Sequence, residues 1–140
     1  CPMAATDGTG PVRGVDFAMM PTRGFDEAVR FYGEILGLPR SVHRPDRGFA
    51  EFETGNLTLS VVDVDKMGLE HHPNRNALAL HVDDVAAARA ELEARGVTFF
   101  GEILDTGVCH MTFLADPDGN ALMLHHRYAP RVTEGEASEA

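Results

Sequence analysis

The sequence predicts an α+β fold built from two tandem βαβββ modules. Three observations predict it. The chain nearly repeats itself at a period of about 60 residues, the mark of a duplicated supersecondary unit. Each half carries one segment with helical apolar spacing closed by a glycine, Gly37 in the first and Gly96 in the second. Each half then runs into short apolar strands joined by turn signals, Thr54-Gly55-Asn56 and Asp116-Pro117-Asp118-Gly119-Asn120.

The elements follow in order. Residues 1–11 are small, polar and rich in Gly and Pro, and read as an N-terminal arm. The first module spans 12–64. It opens with a strand at Val12–Met20. A helix follows at Phe25–Leu36, with Phe25, Val29, Tyr32 and Leu36 on one face. Strands are expected at Arg40–Arg44, Gly48–Glu53 and Leu57–Val64. A linker at 65–75 holds His71, His72 and Pro73, and His71-His72 reads as solvated loop. The second module, 76–128, repeats the order. Its strand is Asn76–Val82 and its helix Val85–Arg95, N-capped by Asp83 or Asp84. Strands are expected at Thr98–Glu102, Val108–Leu114 and Ala121–His126. The acidic segment 129–140 reads as a solvated tail.

Composition narrows the function classes. The 140 residues are 44% apolar and 24% charged, which is ordinary for a globular domain and excludes collagen-like and coiled-coil chains. The net charge is −10, with 22 acids against 12 bases and no basic stripe for nucleic acid. No apolar run approaches the roughly 18 residues of a membrane span. Two cysteines, Cys1 and Cys109, make no disulfide framework and point to a cytoplasmic protein. Cys1 stands where Met is usual and reads as a processing remnant, with a lipidated N-terminus as the alternative.

The order of elements, the segment RFYGEILGL, the strand–helix LHVDDVAAARAELEARGV and the hairpin ADPDGNALML resemble the vicinal oxygen chelate superfamily. That superfamily includes glyoxalase I, bleomycin-resistance and fosfomycin-resistance proteins and extradiol dioxygenases. The resemblance runs from Val12 to Tyr128. It implies strands curled around a cleft, with the first strand of each module parallel to its last. It also implies a homodimer that completes the clefts, with modules swapped between chains in some members. Metal-using members take His from the first strand and Glu from the last. Carried over by position, these places fall on Phe17 and Leu59 in the first module, with Asp16 and Ser60 as neighbours, and on Ala77 and Met123 in the second. Phe, Leu and Ala offer no lone pair, and Met only a soft thioether. The resemblance therefore implies a small-molecule-binding protein without the usual metal and with no cofactor. It would sequester or transform a ligand in an apolar cleft lined by Phe17, Met19, Leu59 and Met123.

The histidines suggest a second reading. If Ala115 pairs with Asn120, then His110, Thr112, Met123 and His125 share the cleft face of the second module. His81 joins them from the neighbouring strand. His81, His110 and His125 are then candidates for acid–base catalysis, or for a displaced divalent-metal site in a lyase, isomerase or dioxygenase. Thr112 would offer a hydrogen bond. Arg127 and Tyr128 would rim the cleft, the arginine suited to a ligand carboxylate or phosphate. Val42–Ala50, with His43, Arg44, Arg47 and Phe49, reads as a mobile flap. Cys109 is expected as a buried thiol facing away from the cleft beside His126.

Overall fold

The structure is a computed structural model and describes residues 8–130. Cys1, most of the N-terminal arm and most of the tail lie outside the described residues. Among the described residues eight strands and the two expected helical segments follow one another in the expected order, with one short further helix after the fourth strand. Both modules build a four-stranded sheet of the same topology, in which the first strand lies beside the last, followed by the third and then the second. The chain divides into two compact units. One runs to Asn76 and includes Ala115–Ala121, and the other holds Ala77–Leu114 and the chain from Leu122 onward. The turn between the last two strands thus belongs to the first unit, which the boundary expected at residue 76 does not contain.

In the first unit, β1 (Phe17–Thr22) starts later than expected and pairs in parallel with β4 (Thr58–Asp63). β3 (Phe49–Glu53) lies antiparallel beside β4 and beside β2 (Arg40–Arg44). The expected single helix divides into α1 (Phe25–Arg30) and a π-turn at Phe31–Ile35, where the Leu36 N–H bonds the Phe31 carbonyl at 2.8 Å. Such widened turns insert one residue into the helical repeat. Here it accompanies Tyr32, wholly buried against Phe52 with ring centroids 6.0 Å apart. Gly33 lies so close to Phe52 that a Cβ would stand 3.2 Å from its ring. Gly37 closes the helix at φ +74°, as its position predicts. A short helix that the sequence pattern does not announce, α2 (Val64–Met67), is capped by the Asp63 carboxylate.

Residues 42–50, expected as a mobile flap, lie in regular structure. They close β2 and β3 into a hairpin, with the Gly48 N–H on the Arg44 carbonyl at 2.9 Å and the His43 ring stacked on Phe25. The residues between the sheets are not a plain linker either. The Asn74 N–H bonds Asn120 Oδ1 at 2.8 Å, and its side-chain amide donates to the Met19 carbonyl. His71, expected as solvated, is half-buried 3.9 Å from Asp118.

In the second unit, β5 (Leu78–His81) pairs in parallel with β8 (Ala121–Arg127), and β7 (Cys109–Ala115) lies beside β6 (Phe100–Asp105). Helix α3 (Val85–Ala94) begins at Asp84, whose carboxylate accepts the Ala87 N–H at 3.0 Å. The helix covers one face of this sheet. Arg89 donates to Thr112 Oγ1 at 2.8 Å and to the Gly101 carbonyl, and lies over the Phe99 ring. Leu114, Leu122 and Leu124 are buried on that side. Burial of large apolar side chains such as these is worth about 1.5–3 kcal/mol each and holds helix to sheet. No helix among the described residues is long and apolar enough to cross a membrane.

Candidate functional site

In each unit the sheet face turned away from the helix is the open one, and strand alternation decides what it carries. In the first sheet Phe17 pairs with Thr58 and Met19 with Ser60. Phe17 is 52% exposed and Met19 42%. Glu51, Glu53 and Phe49 share this face through their pairing with Ser60, Thr58 and Val62. Glu53 accepts from the Ser41 and Thr58 hydroxyls, and these two bonds, Ser41 first, hold its carboxyl below the usual range.

Leu59 does not face the open side. It pairs with Ala18 and Phe52, is wholly buried, and belongs to the core under Tyr32. The cause is loop length. In the first module the Thr54 N–H bonds the Leu57 carbonyl around two residues, with Gly55 at φ +101°. In the second, the Asp116 N–H bonds the Asn120 carbonyl around three, with Gly119 at φ +88°. Counting three residues from each Asn therefore reaches different faces. The first-module residue equivalent to Met123 is Ser60, since Ser60 pairs with Met19 as Met123 pairs with Ala79.

The same three-residue loop shifts the second sheet. The Tyr128 N–H bonds the Val108 carbonyl at 3.0 Å, in register with Asp116 and Asn120. Ala115 does not pair with Asn120, and a slip of one residue turns every side chain of β7 to the other face. Thr112 and His110 therefore face the helix, Thr112 under Arg89. Cys109 is buried as expected, but it faces the same way as Arg127, 3.8 Å from its guanidinium, not beside His126.

What replaces them on the open face is more apolar. Met111 and Phe113 of β7 stand beside Met123 and His125 of β8, and their partners across β6 are Leu104 and Phe100. Phe100 is 59% exposed and Leu104 49%. Arg127 ends this face. Its Nε is buried without a hydrogen-bond partner. The expectation from sequence missed Phe100, Leu104, Met111 and Phe113. The signal was present in Leu114, Leu122 and Leu124, which fix the core face of both strands, but it reads correctly only with the three-residue loop.

The predicted histidines separate. His81 and His125 pair directly across parallel strands. His81 is exposed, with Nε2 3.4 Å from Asp83 Oδ1, and its ring lies 5.9 Å from that of His126. His110 lies on the other side of the sheet. It lines a pocket of about 350 Å³ at the start of α3 with Asp84, Val85, Ile103, His126 and Tyr128. There the Tyr128 hydroxyl donates to Asp105 Oδ1 at 2.8 Å, and His110 Nε2 lies 3.4 Å from Asp105 Oδ2. The Gly107 N–H, and after it the tyrosine, holds the Asp105 carboxyl below its usual range, while the same tyrosine bond raises the phenol. Tyr128 is thus not on the rim of the open face. Among the described residues no group of three His, Cys, Asp or Glu side chains is arranged to hold a metal ion.

The model of the Glyoxalase/Bleomycin resistance protein/Dioxygenase superfamily matches residues 14–124. No curated protein matches the chain. Among solved structures the chain is similar to a glyoxalase family protein from Bacillus anthracis, at 20% identity and a TM-score of 0.72, covering 86% of this chain and 99% of that one. It is similar to lactoylglutathione lyase from Agrobacterium tumefaciens, at 17% identity and 0.69, covering 82% and 94%. It is also similar to TnmS3, an antibiotic binding protein from Streptomyces sp. CB03234, at 25% identity and 0.70, covering 84% and 98%.

Proposed function

The chain belongs to the Glyoxalase/Bleomycin resistance protein/Dioxygenase superfamily, and from that premise we propose that it binds a small organic molecule on an apolar open sheet face, without the metal used by many members. The observation that carries this reading is the open face of the second sheet, where Phe100, Leu104, Met111, Phe113 and Met123 stand together. Aromatic rings and thioethers give large, polarizable contact area to a flat apolar ligand. The likeness to an antibiotic binding protein supports the same class of role.

The residues at the family's metal positions support the second half of the proposal. Carried over from the family resemblance and adjusted for the strand register, these positions fall on Phe17, Ser60, Ala77 and Met123. A hydroxyl and a thioether do not make a site for Mg, Mn, Fe(II) or Zn. The same reading takes the protein as a cytoplasmic homodimer, and light scattering tests the stoichiometry.

A fluorescence titration with N-phenyl-1-naphthylamine, an uncharged aromatic probe, tests the binding site. Saturable binding to the wild-type protein, weakened about tenfold or more in Met123→Glu, is the expected result, because the ionised side chain must be desolvated under the ligand. The absence of saturable binding, or equal affinity in the variant, would overturn the reading.

A further inference from the structure

We infer that Arg127 recognises an anionic group on the ligand, so that the molecule bound on the open face of the second sheet is an aromatic acid held by its carboxylate. This rests on the proposed binding site and names the chemical class of its occupant. Arg127 is poorly satisfied as a hydrogen-bond donor. Its Nε is buried and unpartnered, Nη1 reaches only the Cys109 thiol at 3.8 Å, and Nη2 reaches the Pro130 carbonyl at 3.4 Å. A thiol is a weak acceptor, and one long bond to a carbonyl leaves most of the five guanidinium donors unused.

Arg89 shows what a structural arginine in the same unit looks like. It donates to Thr112 and the Gly101 carbonyl at 2.8 and 2.9 Å, lies 3.5 Å from Glu93 and covers the Phe99 ring. The chain carries 22 acids against 12 bases, so a carboxylate partner is easy to supply. Yet none of the described residues places one within ion-pair distance of Arg127. A partly buried guanidinium with an unpaired N–H is costly to keep unless something satisfies it.

Position then decides what that partner is. Alternation along β8 puts Arg127 on the side of Met123 and His125, at the end of the apolar face, while Leu122 and Leu124 point to the core. A ligand lying across Phe113, Met111 and Met123 would bring one end to Arg127. The planar guanidinium suits a carboxylate, which it binds through two parallel N–H bonds.

Calorimetric titration with 2-naphthoate and its uncharged isostere 2-naphthamide tests the inference. The expected result is that naphthoate binds the wild-type protein about tenfold more tightly. In Arg127→Gln the ratio of the two affinities falls close to one, and in Arg127→Lys part of it remains. Equal binding of both probes to the wild-type protein would overturn the carboxylate inference and leave the apolar site standing. So would a ratio that survives in Arg127→Gln. Binding of neither probe would overturn the site and the inference together. The wild-type ratio needs no variant, so the test holds even if Arg127→Gln fails to fold.

Discussion

Tyr32 donates its hydroxyl to Asp116 Oδ2 at 2.7 Å, both groups being buried in the first unit. Asp116 also accepts the Asn120 side-chain amide at 2.7 Å and the Asp118 and Asn120 N–H groups at 2.9 Å, while Asn120 donates onward to the Pro21 carbonyl. A buried carboxylate is tolerable because four donors surround it. Burial, and then the charge of Asp116, raise the Tyr32 phenol far above its ordinary value. The raised group stabilises the folded state fully below the unfolded value, about pH 10. Above it the unfolded chain releases the proton and the folded chain keeps it, so stability falls as pH rises. Tyr32→Phe is expected to cost about 2 kcal/mol near neutral pH, and to remove this part of the alkaline loss. Urea unfolding midpoints of both proteins across neutral and alkaline pH check it. Parallel pH curves would show that the phenol does not titrate as described. Tyr32 was legible in the sequence as an apolar helix position, but its polar partner, 84 residues away, was not.

The element that decides most about the site is the loop between β7 and β8. Asp116 and Asn120 close it around Pro117, Asp118 and Gly119, and Gly119 sits at φ +88°. An L side chain is strained there, although the space around it is open. Gly119→Ala is therefore expected to destabilise by about 1–2 kcal/mol, visible as a lower Tm, without a clash to relieve. An unchanged Tm would mean that the loop can move to another conformation. Strand existence and the helix at Val85, with Asp83 or Asp84 as its cap, were legible, and the parallel first-to-last pairing was implied by the family resemblance. The facing of β7 was not. One residue of loop length separates His110 toward the cleft from His110 toward the helix, and a turn motif alone does not fix that count. The same ambiguity put Leu59 on the open side, when Ser60 holds that place.

At the scale of the whole molecule, the duplication gives two sheets of one topology with different open faces. The first mixes Phe17 and Met19 with Glu51, Glu53 and two hydroxyls, and the second is apolar and ends in Arg127. Among the described residues no group of three His, Cys, Asp or Glu side chains is arranged to hold a metal ion. Elemental analysis of the untagged protein, after dialysis against Zn, Mn, Fe(II), Ni and Cu, is expected to show no stoichiometric metal. One metal per chain, lost in His125→Ala, would overturn the metal-free reading and place an ion at the His81–His125 pair. The net charge of −10 raises solubility at neutral pH and disfavours anionic ligands at long range. An acid bound at Arg127 must therefore be held by short-range hydrogen bonds.

The sequence by itself determined the duplication, the order βαβββ in each half, a helix cap at Asp83 or Asp84, the closing Gly37, and the family resemblance. All of these depend on local periodicity and turn chemistry, which a chain expresses before it packs. Only the tertiary structure decided which side chains face one another. It moved His110 and Thr112 to the helix side, buried Leu59, joined the Asp116 turn to Tyr32, and brought Phe100, Leu104, Met111 and Phe113 together on an open face with Arg127 at its end. The physical reason is the two-residue period of a strand: alternation is written in the sequence, but its phase between neighbouring strands is set by loop length and backbone hydrogen bonds.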